Sequence, residues 1–192
     1  MLDELLVQRK LLYQKISESL EFKQQILNAH ELIKKTINSG KKVLILGNGG
    51  SAAQAQHFAA ELVCKFEKNR RAIPAIAITT NSSILTAQSN DDGFELVFSR
   101  QIEALCCPGD LVIGLTTSDV TAGSSHSLNI YNAFLAAKNH GAKSIGLFSQ
   151  KTKNLLSLVD VAIIVPATNT ALIQEVHQMI IHLLCSLVES EL

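Results

Sequence analysis

His57 and Glu61 stand four residues apart in GNGGSAAQAQHFAAEL (residues 47–62), a stretch of helical pattern, so an imidazole and a carboxylate share one helix face. Such a pair can hold a divalent metal or move protons; a solvated salt bridge has the same spacing. Near the end of the chain, Gln174, Glu175, His177, Gln178 and His182 crowd an otherwise apolar sequence. On a helix, Glu175 and His182, seven apart, lie nearly above one another, whereas Gln174 and His182, eight apart, are about 80° apart around the axis. Spacing alone selects no functional pair among them, and the polarity of a solvated face describes them equally well.

Two loops could receive an anion. Gly47-Asn48-Gly49-Gly50-Ser51 follows an apolar run and precedes a helical pattern. Glycines let the backbone turn sharply and approach a ligand closely. The first turn of a helix offers free N–H groups and a partial positive charge, and Ser51 can cap that helix or donate to a phosphate. No Gly-Lys-Ser/Thr follows, so this is not a Walker loop, and the G-x-G-x-x-G dinucleotide fingerprint is missing. A dinucleotide-dependent oxidoreductase is therefore disfavoured. Further on, Thr116-Thr117-Ser118 follows another apolar run, with Ser124, Ser125 and Ser127 close behind. Hydroxyls clustered between a strand and a helix can ring a phosphate. For both loops the plain alternative is a solvated turn.

The elements that must position these groups can be read from periodicity. Residues 42–46 (KVLIL), 75–78 (AIAI), 111–115 (LVIGL), 144–147 (SIGL) and 161–165 (VAIIV) are short apolar runs, read as buried strands. Helical patterns lie between or after them at residues 51–66, 94–105, 128–140 and 171–189. Strands alternating with helices imply βαβ units and a doubly wound, parallel five-stranded sheet flanked by helices. Continuously apolar strands agree, because such a sheet is covered on both faces. Ligands of open sheets bind beyond the carboxyl ends of the strands, which is where both loops fall. Residues 1–40 read as a helical segment ended by Ser39-Gly40. It carries more Leu and Ile than one small sheet can cover, so packing on a partner subunit is expected. With no repeat, low-complexity tract or linker, residues 1–192 read as one domain: a helical segment 1–40 and an α/β core 41–192.

Bulk properties exclude several classes. Apolar residues make up 47% and charged residues 18% of the chain, values of a soluble globular protein. Lys plus Arg equals Asp plus Glu at 17 each, so there is no global basic field for nucleic acid or a membrane surface. No apolar run approaches the roughly 18–20 residues that cross a bilayer, and no secretory signal is read at the start. The cysteines (Cys64, Cys106, Cys107, Cys185) match no zinc or C-x-x-C spacing and read as reduced cytosolic thiols.

GNGGSAAQAQHFAAEL, PAIAI (74–78), SNDDGF (89–94), FSRQIEAL (98–105), GDLVIGLTTS (109–118) and IQEVHQMIIHLL (173–184) together resemble the phosphoheptose isomerase family, a branch of the sugar isomerase (SIS) proteins. The similarity runs from about residue 40 to the end. It implies the SIS fold and an aldose–ketose isomerisation of sedoheptulose 7-phosphate to D-glycero-D-manno-heptose 7-phosphate, which supplies lipopolysaccharide core precursors. The proton moves between neighbouring carbons through an enediol. By the resemblance, Glu61 is the carbon base and His182 the acid. His57, Glu61, Gln174 and His182 would ligate one metal per subunit; two imidazoles, a carboxylate and an amide suit zinc. His177 falls back to a structural role. Phosphate binding carries over to Ser51, Thr116, Thr117, Ser118 and Ser127. Asn48, Gly49, Gly50 and Gln174 would line the substrate site, and Asn90 and Asp91 are further polar candidates. A cytoplasmic homotetramer is implied, with a sugar phosphate as partner and no nucleic acid or membrane.

Three departures from the family pattern stand out. The family's Ser-Thr-Ser-Gly-Asn-Ser becomes a loop about six residues longer, spanning 116–127, which puts Asp119 close to the expected phosphate. Lys65 replaces an arginine and loses its bidentate grip, and Ala171 replaces an acidic residue. The rival reading is a non-catalytic SIS protein that binds a sugar phosphate or the replication initiator. Retention of Glu61 and His182 favours the enzyme.

Overall fold

A computed structural model describes residues 1–120 and 127–192. Ser124 and Ser125, with the rest of residues 121–126, lie outside the described residues.

The amino-terminal segment is two helices rather than one. Helix α1 (Leu2–Glu18) ends where Ser19 takes an extended conformation, and α2 (Leu20–Asn38) begins with the Ser19 hydroxyl accepting from Phe22 N–H. Serine caps helix starts because its oxygen satisfies an otherwise unpaired amide of the first turn. The apolar spacing continues across this break, which is why periodicity alone joined the two.

Strands β1 (Val43–Gly47), β2 (Ala75–Ala77), β3 (Leu111–Leu115), β4 (Lys143–Ser149) and β5 (Val161–Val165) form one parallel sheet in the order β2-β1-β3-β4-β5. This is the expected doubly wound sheet, with no strand end shifted by more than two residues. Side chains alternate across it. Val43, Ile45, Leu111, Ile113 and Leu115 pack with α1, α2, α3 (Gly50–Val63) and α7 (Thr170–Ser190). Leu44, Leu46, Val112 and Phe148 pack on the other face with α5 (Ser99–Leu105) and α6 (Leu128–Asn139). Both faces are therefore dry, as the apolar strand runs required.

Helix α4 (Ser82–Asp91) was not legible in the sequence. It buries no side chain fully and is started by Asn81, whose side chain accepts from Ile84 N–H. The helical pattern at 94–105 resolves into a short 3₁₀ turn (Phe94–Leu96) and then α5. By length and hydropathy α7 could cross a bilayer, contrary to the reading of the sequence. Its inner face instead lies in the core, with Ile173, Val176, Ile180, Ile181 and Leu184 buried.

The strand order has one functional consequence. From β1 the chain proceeds to β2 on one side, while from β3 it proceeds to β4 on the other. Between β1 and β3 the connections diverge, and open parallel sheets bind ligands in the crevice at such a point. Gly47 pairs with Leu115 at the last rung, so the glycine loop and the Thr116–Ser118 loop leave the sheet side by side.

Candidate active site

One end of the crevice is a polar cradle. Gly49 has φ +54°, a left-handed backbone that glycine adopts without strain. It lets the chain turn directly from β1 into α3. Ser51 is buried in the first turn of that helix. Opposite it, three hydroxyls converge: Ser118 and Ser127 Oγ atoms are 3.0 Å apart, and Thr116 Oγ1 is 3.2 Å from Ser127 Oγ. Thr117 is tied to the next strand, its carbonyl accepting from Ser149 Oγ at 3.2 Å. Asn48 and Asn129 exchange two amide hydrogen bonds, of 3.0 and 2.9 Å, joining the glycine loop to the start of α6. Asn129 was missed in the sequence because its partner is 81 residues away.

The long loop does not bring its charge to this cradle. Asp119 turns away and accepts from the backbone amides of Lys153 and Asn154, at 2.8 and 3.0 Å.

The second half of the site lies in the seam between α3 and α7. His57 Nε2 stands 3.0 Å from His182 Nε2 and 3.4 Å from Glu61 Oε1. Gln178 Nε2 lies 2.9 Å from His182 Nε2. The ring of Phe66 covers His182, with centroids 5.4 Å apart. His57, Glu61 and His182 are thus brought together, as the family resemblance implied. Gln174 sits further along the seam, over the glycine loop: its Nε2 is 3.5 Å from Ser51 Oγ, and its backbone carbonyl accepts from Gln54 at 2.7 Å. A Cβ on Gly50 would stand 2.6 Å from that amide nitrogen, so a larger residue there would push the Gln174 amide aside.

The remaining polar residues of α7 have other partners. Glu175 forms a 2.6 Å ion pair with Arg9 of α1. His177 is fully buried, with Nε2 3.3 Å from the Phe148 carbonyl, and burial pushes its pKa down to about 4, so it is neutral at pH 7. Glu189 accepts from the backbone amides of Phe66, Glu67 and Lys68 and from Arg70 Nε. Burial alone would raise its pKa; these four donors outweigh it and hold the carboxyl at about 2. Asn90 and Asp91 end α4, exposed and hydrogen-bonded to each other, apart from both halves of the crevice in these contacts. Lys65 is exposed and reaches Asn69. Among the described residues, the histidine nitrogens and carboxylate oxygens close enough to share an ion are those of His30, Glu31 and Glu191, and Lys34 already pairs with both glutamates. All four cysteines are free thiols.

The parallel five-stranded sheet carries a hydroxyl-lined crevice at its switch point, and the SIS domain family model matches residues 10–149, so the chain is a SIS protein. The phosphoheptose isomerase of Geotalea daltonii is 48% identical over 182 residues, covering 94% of this chain and 92% of the relative. That of Geobacter sulfurreducens is 45% identical over 168 residues, covering 88% and 86%. The solved phosphoheptose isomerase of Neisseria gonorrhoeae superposes with a TM-score of 0.88 at 34% identity, covering 98% of this chain and 97% of that one. A phosphoheptose isomerase from Francisella tularensis gives 0.90 at 31%, covering 98% and 96%. The chain belongs to the phosphoheptose isomerase family and is an aldose–ketose isomerase. The similarity also extends into the amino-terminal helices, beyond the start near residue 40 read from motifs alone.

Proposed function

We propose that this chain interconverts sedoheptulose 7-phosphate and D-glycero-D-manno-heptose 7-phosphate. The observation that carries the reading is the joining of an anion cradle and a His57/Glu61/His182 group along one seam. The cradle of Ser51, Thr116, Thr117, Ser118 and Ser127, lined by Asn48, Gly49 and Gly50, binds the phosphate. The α3 N-terminus adds a partial positive charge. Gln174, between the two halves, contacts the sugar.

At the other end Glu61 removes the proton from one carbon and returns it to the neighbour, while His182 exchanges protons at oxygen. Two imidazoles and a carboxylate are donor types that a zinc-class ion takes, and His57 stands between the other two, 3.0 Å from His182 and 3.4 Å from Glu61. His57, Glu61 and His182 would hold it, with Gln174 as the fourth donor assigned by the family resemblance. Such an ion would polarise the substrate oxygens that gain charge. Phe66 limits water on one side of His182.

We further read residues 1–192 as one domain acting in the cytoplasm, on the route to lipopolysaccharide heptose, and as a homotetramer. Supporting assembly, Leu2, Leu5, Leu6, Val7, Leu11 and Leu20 are exposed on the first two helices. An apolar groove of about 690 Å³ opens between α1, α2 and α7, lined by Tyr13, Ile16, Phe22, Ile26, Met179 and Leu183. The non-catalytic alternative is disfavoured, because Glu61 and His182 are both present and the relatives carry the isomerase name.

The test is incubation with sedoheptulose 7-phosphate, followed by NMR of the anomeric region. Aldose signals should grow to a fixed ratio. No conversion, with or without added zinc, would overturn the assignment.

A further inference from the structure

On the roles given above to Glu61 and His182, we propose that Arg70 is a positioning residue for the isomerisation. It sets where the Glu61 carboxylate stands against the two histidines.

Glu61 lies in the least supported turn of its helix. Helix α3 ends at Val63, and the last carbonyls of a helix have no partner within it. Arg70 supplies one. Its Nη2 donates to the Glu61 carbonyl at 2.5 Å, and its Nη1 to the Leu62 carbonyl at 2.8 Å, which also accepts from Ile73 N–H. A guanidinium presents its donors in a rigid planar fork, so it fixes direction as well as distance. With its carbonyl held, the backbone of Glu61 is tied down at the point where the helix would otherwise fray. The carboxylate then starts from a fixed place, with Oε1 3.4 Å from His57 Nε2.

The arginine is itself held. Its side chain is 5% exposed, and that of Glu189, 2.9 Å away, is 2% exposed. Glu189 Oε1 also accepts from Phe66 N–H at 2.7 Å, and Oε2 from the amides of Glu67 and Lys68 at 2.8 and 2.9 Å. Glu189 belongs to α7, two helical turns beyond His182, and Phe66 places its ring over His182. Arg70 therefore joins the helix that carries the base to the helix that carries the acid. A buried ion pair is often no more stabilising than apolar residues of the same volume. What this pair supplies beyond packing is a directed link from α7 to the backbone of Glu61.

The test compares Arg70→Gln, Arg70→Lys and His177→Ala with the parent, each assayed well below its own melting temperature. Lysine keeps a charge opposite Glu189 but has no fork to span two carbonyls, and it serves as the reporter if the glutamine variant fails to fold. Arg70→Lys should lower kcat at least about 10-fold, because a small displacement of a reacting group is costly. KM for the sugar phosphate should change less than about twofold, because the phosphate cradle lies at the opposite end of α3. Amide hydrogen exchange should quicken in the last turn of α3 and hold elsewhere in the sheet and helices. His177→Ala should lower the melting temperature without that fall in kcat, which separates positioning from a general loss of stability. Parent-like kcat in Arg70→Lys, or a loss carried by KM instead, would overturn the assignment. The same fall in kcat in His177→Ala would also overturn it. A parent that converts no sedoheptulose 7-phosphate would overturn the proposed function and the role of Arg70 together, whereas an active parent with an unaffected Arg70→Lys would overturn the role of Arg70 alone.

Discussion

His57 Nε2 and His182 Nε2 stand 3.0 Å apart, although 125 residues separate them in the chain. The pairing is held by what lies beside it. Arg70 donates to the carbonyls of Glu61 and Leu62, the last turn of α3, and its Nε meets Glu189 of α7. The guanidinium thus satisfies orphan carbonyls of one helix end while its charge is matched by the other helix. Glu189 also gathers three backbone amides of the segment that carries Phe66 over His182. One carboxylate therefore fixes the end of α3, the end of α7 and the aromatic cover between them.

Removal of the reacting groups should separate the two histidines of α7. Glu61→Gln and His182→Ala should each lower kcat at least about 100-fold while leaving the fold intact, as expected for groups that transfer protons. His177→Ala should lose far less turnover and show its effect in the melting temperature, because its ring is packed in the core. Steady-state kinetics and thermal melts read both. Parent turnover in Glu61→Gln would refute the mechanism.

The cradle makes a different kinetic prediction. On the proposed function, Ser51→Ala and Thr117→Val each remove a donor to the phosphate, far from the carbons that react. A hydrogen bond to a charged group contributes about 1.5–3 kcal/mol, so KM should rise by about 10-fold or more, with kcat affected less. Inorganic phosphate should also inhibit the variants more weakly than the parent. Unchanged KM and unchanged phosphate inhibition in both would place the anion elsewhere.

Acid should weaken this protein through two groups whose signs can be worked out. Glu189 has a folded pKa near 2, below its ordinary value of 4.5. Its contribution is present above about pH 4.5 and is lost as pH falls towards 2. His177, with a folded pKa near 4 against 6.5, binds its proton more readily when unfolded, so stability also declines from about pH 6.5 down to 4. Glu189→Gln leaves Arg70 buried without its partner and should cost about 3 kcal/mol at neutral pH. It should also flatten the lower of the two acid windows. Urea titrations from pH 7 to 3 measure this; a variant with the parent's steep loss below pH 4.5 would show that Glu189 is not the group responsible.

Assembly can be read in solution. Multi-angle light scattering at micromolar concentration should give the mass of a tetramer. Leu6→Lys combined with Leu11→Lys, on exposed positions of α1, should shift the mass downward. A clean monomer from the parent would remove the reading of the amino-terminal helices as an interface.

The sequence by itself determined the sheet and most of its helices. Strands buried on both faces must be apolar throughout, so KVLIL, LVIGL and VAIIV could be found without neighbours. It also carried the glycine turn and the i, i+4 pair of His57 and Glu61, because those are local geometry. Helix α4 escaped because a surface helix that buries little has no apolar stripe to betray it. Tertiary structure alone decided the division of labour among the polar residues of α7. Glu175 meets Arg9, His177 the Phe148 carbonyl, Gln174 Ser51, Gln178 and His57 both meet His182, and Glu189 meets Arg70. It also decided that Asp119 faces Lys153 and Asn154. The physical reason is the same each time: a side chain's role is set by the partner it reaches, and apart from Gln178 and His182 on one helix, these partners lie dozens of residues away, brought into range only by the packing of α1, α3 and the sheet against α7.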